Sequence, residues 1–454
     1  MESVFPLWFS RSEAGFAMIC TKPSVAVTSA LVIVLLLAGC GQERTTVTVH
    51  TYTDNGSVII AKQNRASGVV ATQIFVRDGA FFETPEEAGT ANLLRNLMFE
   101  ETETRGPGDV MSEIEALGGR MSSAGRHDFV QYAVTVPSDN FDEAMDILAD
   151  GLVNARFDPE RVERNRDHAV EHIYSMLSRP VDKAYQLCLS EMMGDHPYGR
   201  AAEGLSEVVT NLTAEDVERR YRERYVGSNM LVAVAGDVDA EAASDRIKEM
   251  LSGLEKGVRA EAAAAPVVWP TESRRVVERT DVRRPCQVVA FPGPGIDDRE
   301  NVTMDVLLVT LMEGRSSRLN TRLKEELGLV HSVGAGWYTL RQPSPLFVWM
   351  ELPEENVEAA EAATVELIME FAQEPVTPEE LAKAKMQLEV GNLRMVETAE
   401  GQAFHDGYWT NIGGEEFATQ YVDRLIEVTA EEIQQAAALY LGSGVHVTAV
   451  VLPE

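Results

Sequence analysis

The stretch AGTANLLRNLMFEET, residues 88–102, is the part of the sequence on which the interpretation of the whole chain depends. An amphipathic helix is predicted to start after the turn at Gly89, because apolar residues recur there at helical spacing. These apolar residues are Leu93, Leu94, Leu97 and Met98. Three polar residues, Asn92, Arg95 and Asn96, share another face of the same helix. At the i, i+3 and i+4 positions, they can present their side chains to one site.

The charge balance of the chain excludes one large class of partners. Acidic residues outnumber basic residues by 72 to 40 among the 454 residues, so the formal net charge is −32. A field of this sign repels nucleic acid, and we therefore expect no nucleic-acid partner. The composition, 45% hydrophobic and 25% charged, is that of an ordinary globular protein.

The N-terminal segment has the pattern of a targeting signal. Residues 27–39 form an apolar run that is too short to span a membrane comfortably, and Lys22 precedes it. The run ends in Leu-Ala-Gly-Cys at residues 37–40, which resembles a bacterial lipoprotein signal, in which the cysteine is lipidated. An uncleaved membrane anchor is the alternative interpretation.

We therefore expect residues 1–39 to be a lipoprotein signal peptide and residues 40–46 to be a tether, with either Met1 or Met18 as the start. Lipidation at Cys40 would anchor the protein to a membrane. We expect it at the bacterial outer membrane, facing the periplasm.

The rest of the chain divides into two similar halves. Residues 255–272 are rich in Ala and Pro without a period, which predicts a linker between domains at 47–254 and 273–454. Residues 212–237 and 428–454 have the same order of capped helix, turn and apolar strand, which indicates an internal duplication. The predicted fold class is α+β, with an antiparallel or mixed sheet packed by helices in each half.

The first two predicted strands show a turn signal between them. Residues 46–52 and 57–62 are strand-like and flank an Asn-Gly pair at residues 55–56. This pattern predicts a hairpin with a two-residue connection.

Four segments resemble, in the same order, the pitrilysin/insulinase family of zinc metallopeptidases. The resemblance is to its half-length form, which includes the subunits of mitochondrial processing peptidase, and it covers nearly all of the chain after the tether. The segments are residues 75–102, 116–136, 196–221 and 316–338. The resemblance implies a pitrilysin-like metallopeptidase fold.

In the family, two histidines and a glutamate 76 residues after the second of them bind zinc, and the motif glutamate activates water. The resemblance places Asn92, Asn96 and His172 at the ligand positions and Arg95 at the position of the base. A carboxamide is a poor zinc ligand, and an arginine stays protonated and cannot act as a general base. We therefore expect no catalytic residue, no zinc and no cofactor at this inherited site.

A second segment has the sequence pattern of the zinc motif at another place in the chain. His168, Glu171 and His172 form a His-x-x-Glu-His sequence on a predicted helix. An active zinc metalloendopeptidase that uses this relocated site is therefore an alternative. The surrounding residues, however, match the family's helix for the third ligand, and the string has no obvious third ligand of its own.

The resemblance also implies contacts with substrate and with other subunits. Lys324 and His331 stand seven residues apart where the family has an Arg and a Tyr that reach substrate, so both are substrate-contact candidates. The half-length family usually closes its chamber with two subunits. We expect the chain to pair with an active zinc-peptidase paralogue, or with itself, around peptides or unfolded polypeptide. A stand-alone binding or scaffold protein of the envelope is the remaining alternative.

Overall fold

The computed structural model describes residues 47–261 and 265–454. The predicted signal peptide at 1–39 and the tether at 40–46, including Cys40, lie outside the described residues and stay predictions. Every helix in the described ranges is too short or too polar to cross a membrane.

The N-terminal half is built on a six-stranded mixed sheet. Its strands are β1 (Thr48–Tyr52), β2 (Val58–Gln63), β3 (Val69–Val76), β4 (Arg120–Gly125), β5 (Val130–Pro137) and β6 (Met230–Gly236). Their spatial order is β1-β2-β6-β3-β5-β4, and only β2 and β6 run parallel. The central strands β3 and β6 are buried on both faces, because both faces of this sheet are covered.

The C-terminal half repeats this arrangement with five strands. They are β7 (Arg274–Thr280), β8 (Cys286–Phe291), β9 (Ser332–Trp337), β10 (Leu346–Glu351) and β11 (Val447–Pro453). Their order is β7-β11-β8-β10-β9, and β7 and β11 are the parallel pair. The matching topologies confirm the two α+β halves, and they make β4 and β9 equivalent edge strands.

Thirteen α-helices surround the two sheets in the described ranges. In the first half they are α1 (Thr90–Leu97), α2 (Asp109–Ala116), α3 (Phe141–Val153), α4 (Pro159–Leu177), α5 (Pro180–Met193), α6 (Ser206–Val209), α7 (Ala214–Arg224) and α8 (Ala240–Met250). In the second half they are α9 (Asn301–Met312), α10 (Val357–Gln373), α11 (Pro378–Met395), α12 (Ala399–Glu427) and α13 (Ala430–Tyr440). The repeated segments carry matching capping boxes, at Thr213 before α7 and at Thr429 before α13.

One helix from each half packs against the sheet of the other half. Helix α12 crosses β3 and β6 so closely that a Cβ on Gly407 would lie 2.3 Å from the ring of Phe75. In the opposite direction, α5 lies on β8 and β11, where the Cys188 thiol donates to the carbonyl of Val447 at 3.2 Å. This exchange buries both faces of each sheet and joins the halves into one packed body.

The predicted connection between β1 and β2 is wrong in length. Five residues, 53–57, separate the strands, since Tyr52 pairs with Val58. The Asn55 side chain explains the longer turn: it accepts hydrogen bonds from both Thr53 and Ser57 and donates to the carbonyl of Leu251. Asn55 therefore organises a larger polar turn that is fastened to the end of α8.

The predicted linker contacts the first half through its described part. Residues 255–261 and 265–272 contain no helix or strand. Within them, the amide of Ala260 donates to Asn229 Oδ1 at 2.7 Å, and its carbonyl accepts from Arg77 Nε at 2.8 Å.

Candidate functional site

Helix α1 begins where the sequence predicts. Gly89 adopts a left-handed conformation with φ of 103°, and the apolar residues of the helix are buried, as expected. The carboxylate of Glu83 caps the helix, because Oε2 accepts from the amide of Gly89 at 2.9 Å and Oε1 from that of Ala91 at 2.7 Å. Burial raises the pKa of Glu83 to about 7, against the opposing effects of Arg220 and these two amides.

The end of the motif stretch is also held firmly. Phe99 has a φ of 64°, which is rare for a side chain of this size. Its ring packs edge-on against Tyr132, with 4.9 Å between ring centroids, and occupies the space above Gly151 of α3. Asp150 then accepts hydrogen bonds from the hydroxyl of Thr102 at 2.6 Å and from Arg105 at 2.7 Å. Helix α1 is therefore fixed at both ends against the sheet and α3.

The structure brings two of the three predicted polar residues together. Arg95 donates to Asn92 Oδ1 from Nε at 3.2 Å and from Nη2 at 3.0 Å. Arg95 Nη1 donates to the hydroxyl of Ser123 on β4 at 2.7 Å. Asn92 is buried, Arg95 is half-buried and Asn96 is exposed. The residue at the base position therefore binds the residue at the first ligand position.

This arrangement does not fit a zinc ion. Zinc needs neutral imidazole, thiolate or carboxylate donors, and Asn92 offers a carboxamide oxygen that already accepts two guanidinium N–H groups. The positive charge of Arg95 would also repel the metal. These residues therefore support no chemical step through a metal.

The third ligand position lies on α4, which packs beside α1. Asn165 of α4 donates to Glu100, just after α1, at 2.9 Å. His172 comes seven residues later and so lies on the same face of α4. It is exposed, and it shares α4 with His168 and Glu171, which are also exposed.

His168 Nδ1 and Glu171 Oε2 are 3.7 Å apart, with more than three quarters of each side chain exposed. Among the described residues, no group of three or more His, Cys, Asp or Glu side chains is placed to hold a metal ion. The side chains of the relocated motif are therefore exposed to solvent.

Strand β4, next to α1, ends the first sheet, and no described strand pairs with its outer edge. The amide of Arg126 donates to the carbonyl of Phe129 at 2.9 Å, which makes these residues a hydrogen-bonded pair of the β4–β5 hairpin. Because hydrogen-bonded and non-hydrogen-bonded pairs alternate in an antiparallel ladder, Ser123 belongs to a non-hydrogen-bonded pair with Tyr132. The N–H and C=O groups of Ser123 therefore point to the open edge. The Ser123 carbonyl accepts a long hydrogen bond, 3.4 Å, from Arg95 Nη1.

A cavity of about 530 Å³ between the two halves continues from this edge. Gly125 belongs to both places: it lines the cavity, and a Cβ on it would lie 3.3 Å from Arg95 Nε. Aromatic side chains from α5, α12 and the edge strand β9 contribute to the lining, and three carboxylates join it. These carboxylates are Asp182, Glu203 and Asp305. Burial raises the pKa of Asp305 to about 6, against hydrogen bonds from Trp337 and Tyr421.

The two predicted substrate-contact residues of the second half are both exposed. Lys324 lies in a π-helical turn, Asn320–Glu326, and His331 immediately precedes β9. The amide of His331 donates to the carbonyl of Glu351 on β10 at 2.8 Å, so its backbone is anchored.

Family models match both halves of the chain. Residues 58–204 match the model for insulinase, peptidase family M16, and residues 211–388 match the model for the M16 inactive domain. This chain belongs to the M16 peptidase family. The predicted pitrilysin/insulinase resemblance is thereby confirmed, and the chain is a peptidase-like protein of the inactive type within M16.

Curated M16 relatives span most of the described chain. An uncharacterized zinc protease of Rickettsia felis is 25% identical over 344 residues, 76% of this chain and 82% of the relative. One from Mycobacterium bovis is 27% identical over 367 residues, 80% of this chain and 84% of the relative. One from Streptomyces coelicolor is 30% identical over 295 residues, 63% of this chain and 64% of the relative.

Solved structures show the same fold at lower identity. A protease from Helicobacter pylori superposes with a TM-score of 0.83 at 18% identity, covering 90% of this chain and all of the other. A peptidase M16 inactive domain from Pseudomonas fluorescens gives a TM-score of 0.82 at 17% identity, covering 90% and 98%. These likenesses confirm the M16 fold.

Two residues of the site, Ser123 and Gly125, are not among those that the sequence predicts. Both lie in the family-like segment 116–136, and alternation along that strand could have placed them on the face towards α1. The contact with Arg95 requires the three-dimensional distance between β4 and α1, which no local pattern contains.

Proposed function

We propose that this M16 protein is a non-catalytic, lipid-anchored subunit of the bacterial envelope. In this proposal it pairs with an active zinc-peptidase paralogue and helps to enclose extended peptides. One observation carries the proposal: the family's metal-site helix is kept in place, beside an open edge strand, while Arg95 and Asn92 bind each other at the positions of base and ligand.

The preserved frame supports a binding role. Glu83 caps the start of α1 and Asp150 holds the segment after it, although no metal chemistry is left for these contacts to serve. The outer edge of β4, with which no described strand pairs, offers outward N–H and C=O groups to an extended chain, which is the usual way for a sheet to bind a peptide. The aromatic cavity next to Gly125 provides room for peptide side chains.

The need for a partner follows from the missing chemistry. A chain that can hold a peptide without cleaving it contributes to proteolysis only if a second subunit brings zinc and a base. The envelope location rests on the sequence pattern at residues 27–40 and on lipidation of Cys40.

Co-expression tests this function directly. The full chain is expressed with an M16 paralogue from the same genome that has an intact His-x-x-Glu-His motif, and each protein carries a different tag. We expect a stable 1:1 complex that cleaves peptides, with activity abolished by Glu→Gln in the partner's motif. As a matched control, His168→Ala with His172→Ala in this chain leaves the activity of the complex unchanged.

Three outcomes would contradict all or part of the proposal. A chain that stays a lone, inert monomer under all conditions would favour the stand-alone scaffold. Peptidase activity of the purified chain that disappears with His168→Ala would favour the relocated zinc endopeptidase. A homodimer that binds peptides without cleaving them would support the binding role but contradict the proposed pairing with a paralogue.

A further inference from the structure

We propose that the cavity between the two halves of the chain binds an organic cation that has an apolar body. Two sources share this chemistry: a free guanidine or amine, and the Arg or Lys side chain of a peptide. The inference goes beyond the proposed function, because the cavity lies within one chain and needs no partner subunit.

The size and position of the cavity are the first step. Its volume of about 530 Å³ is in the range of small-molecule sites. Both halves form its walls, through α5 of the first half and α9, α12 and β9 of the second. The cavity reaches Gly125 at the end of β4, so both a free ligand and a side chain of a peptide on that edge have access to it.

The aromatic part of the lining is the second step. Tyr185 of α5 and Tyr338, directly after β9, meet edge to face with their ring centroids 6.3 Å apart. Phe404 and Tyr408 of α12 are stacked, with 5.4 Å between centroids. Burial raises the pKa of all three tyrosines, so their phenols stay neutral at pH 7. Neutral aromatic rings attract a cation and its apolar stem.

A carboxylate without a partner is the third step. In the part of the chain that the structure describes, no hydrogen bond or ion pair reaches the carboxylate of Glu203, which is half-buried in the lining. Its negative charge adds to the effect of burial in raising the pKa of Tyr185 and of Tyr338. Because a charged group in a partly desolvated space interacts strongly, this carboxylate favours a cationic ligand.

The backbone around Glu203 is fixed before any ligand arrives. The amide of Gly204 donates to the carbonyl of Ala201 at 3.0 Å, which closes a turn. A Cβ on Gly204 would lie 2.3 Å from the Cα of Gly89, so the turn packs directly against the start of α1. The carboxylate is therefore carried by a rigid element of the wall.

The other charged groups of the lining leave the cavity negative. Asp182 is already neutralised by an ion pair, and burial lowers the pKa of His127, so that its imidazole is neutral at pH 7. Burial raises the pKa of Asp305 only to about 6, so Asp305 is ionised at pH 7. Arg126, whose side chain is exposed, is the one cation in the described lining. The carboxylates of Glu203 and Asp305 therefore outnumber it.

Two pairs of probes test this proposal, and each pair joins a cation to its neutral isostere. The first pair is benzylguanidine and benzylurea, measured on the full chain by titration calorimetry. The second is a short capped peptide with a central arginine or citrulline, measured by fluorescence anisotropy. We expect the cation of at least one pair to bind about 10-fold more tightly than its isostere. The pair that shows the difference identifies the source of the cation.

The same probes are measured with three variants. Glu203→Gln should remove most of the preference for the cation and leave the neutral probes unchanged. Glu203→Asp should keep part of the preference, because it retains the charge on a shorter side chain. Glu207→Gln removes an equal charge at an exposed position of α6 and should keep the full preference. Thermal unfolding shows that each variant is folded, and Glu203→Asp remains informative if Glu203→Gln unfolds.

The outcomes separate this site from the proposed function. Equal binding of cation and isostere in both pairs would overturn the cation site, and so would a preference that Glu203→Gln leaves undiminished. Absence of binding for every probe would overturn it as well. None of these results bears on pairing with a paralogue, which the co-expression experiment decides. A chain that prefers benzylguanidine through Glu203 but forms no complex would support the cation site and contradict the pairing.

Discussion

Helices α1 and α4 differ in what each has kept of a zinc site. Helix α1 has the frame: it is capped by Glu83, packed on the first sheet, and next to the edge strand β4. Its site positions carry Asn92, Arg95 and Asn96. Helix α4 carries the motif residues His168, Glu171 and His172, but all three side chains are exposed. A metal site depends on surrounding structure that holds its ligands together, and a motif without this structure is a coincidence of spacing.

The largest expected effect comes from restoring the family's zinc-binding residues and general base on α1 and α4. In the variant Asn92→His, Arg95→Glu, Asn96→His, His172→Glu, the ligand set of the family is restored on an intact frame. We expect about one equivalent of zinc per chain, because two imidazoles and a carboxylate leave one open position. Elemental analysis after purification without chelator measures it.

The matched control keeps Arg95 in place. Asn92→His with Asn96→His alone should bind far less zinc, since the guanidinium remains between the new ligands. A folded variant with all four substitutions that takes up no zinc would show that α1 and its surroundings no longer hold these positions in the geometry that binds zinc.

The next effect concerns the packing that supports α1. In Gly151→Ala, the new Cβ would lie 2.1 Å from the ring of Phe99, so the ring must move. We expect a loss of about 1–3 kcal/mol in the free energy of unfolding, measured with urea. Adding Phe99→Leu should recover part of the loss, because a smaller side chain frees the space. An unchanged midpoint in Gly151→Ala would mean that Phe99 does not fix the end of α1.

A smaller effect is expected at acidic pH. Partial burial opposes the ionisation of Asp150, but hydrogen bonds from Thr102, Asn154 and Arg105 lower its pKa from 3.8 to about 2. The stability it contributes is therefore present above pH 4 and is lost as the pH falls through about 2. Asp150→Asn should cost on the order of 1–2 kcal/mol at pH 7 and remove this part of the acid dependence.

Urea unfolding at pH 7 and at pH 3 gives both quantities for Asp150. The exposed Asp139→Asn serves as the control and should change neither. An acid dependence that is identical in the wild type and in Asp150→Asn would contradict the role assigned to Asp150.

The smallest effect is expected on α4. His168→Ala with His172→Ala should change the free energy of unfolding by less than about 0.5 kcal/mol, since both side chains are exposed. Thermal unfolding in the presence and absence of added zinc checks this. A zinc-dependent rise in the melting temperature of the wild type, absent from the double variant, would show that His168 and His172 on α4 bind the metal.

Much of the site was predictable from local patterns. The start of α1 at Gly89 and its buried apolar face follow from periodicity and a glycine turn, and the two halves follow from a repeat in the sequence. The exchange of α5 and α12 between the sheets was not predictable, because it depends on contacts such as Gly407 against Phe75 that lie hundreds of residues apart. The Asn-Gly turn was misjudged for a similar reason: Asn55 donates hydrogen bonds to the carbonyls of Leu251 and Leu254, which follow α8 and lie about 200 residues away in the sequence.

The zinc content of the wild-type full chain, purified from its own cell envelope without chelator, tests the central claim most directly. The account predicts less than about 0.1 equivalent of zinc in the chain freed from its partners, because Arg95 and Asn92 cannot hold the metal and the part of the chain that the structure describes places no third ligand beside His168 and His172. Close to one equivalent, lost in the His168→Ala and His172→Ala variant, would contradict it.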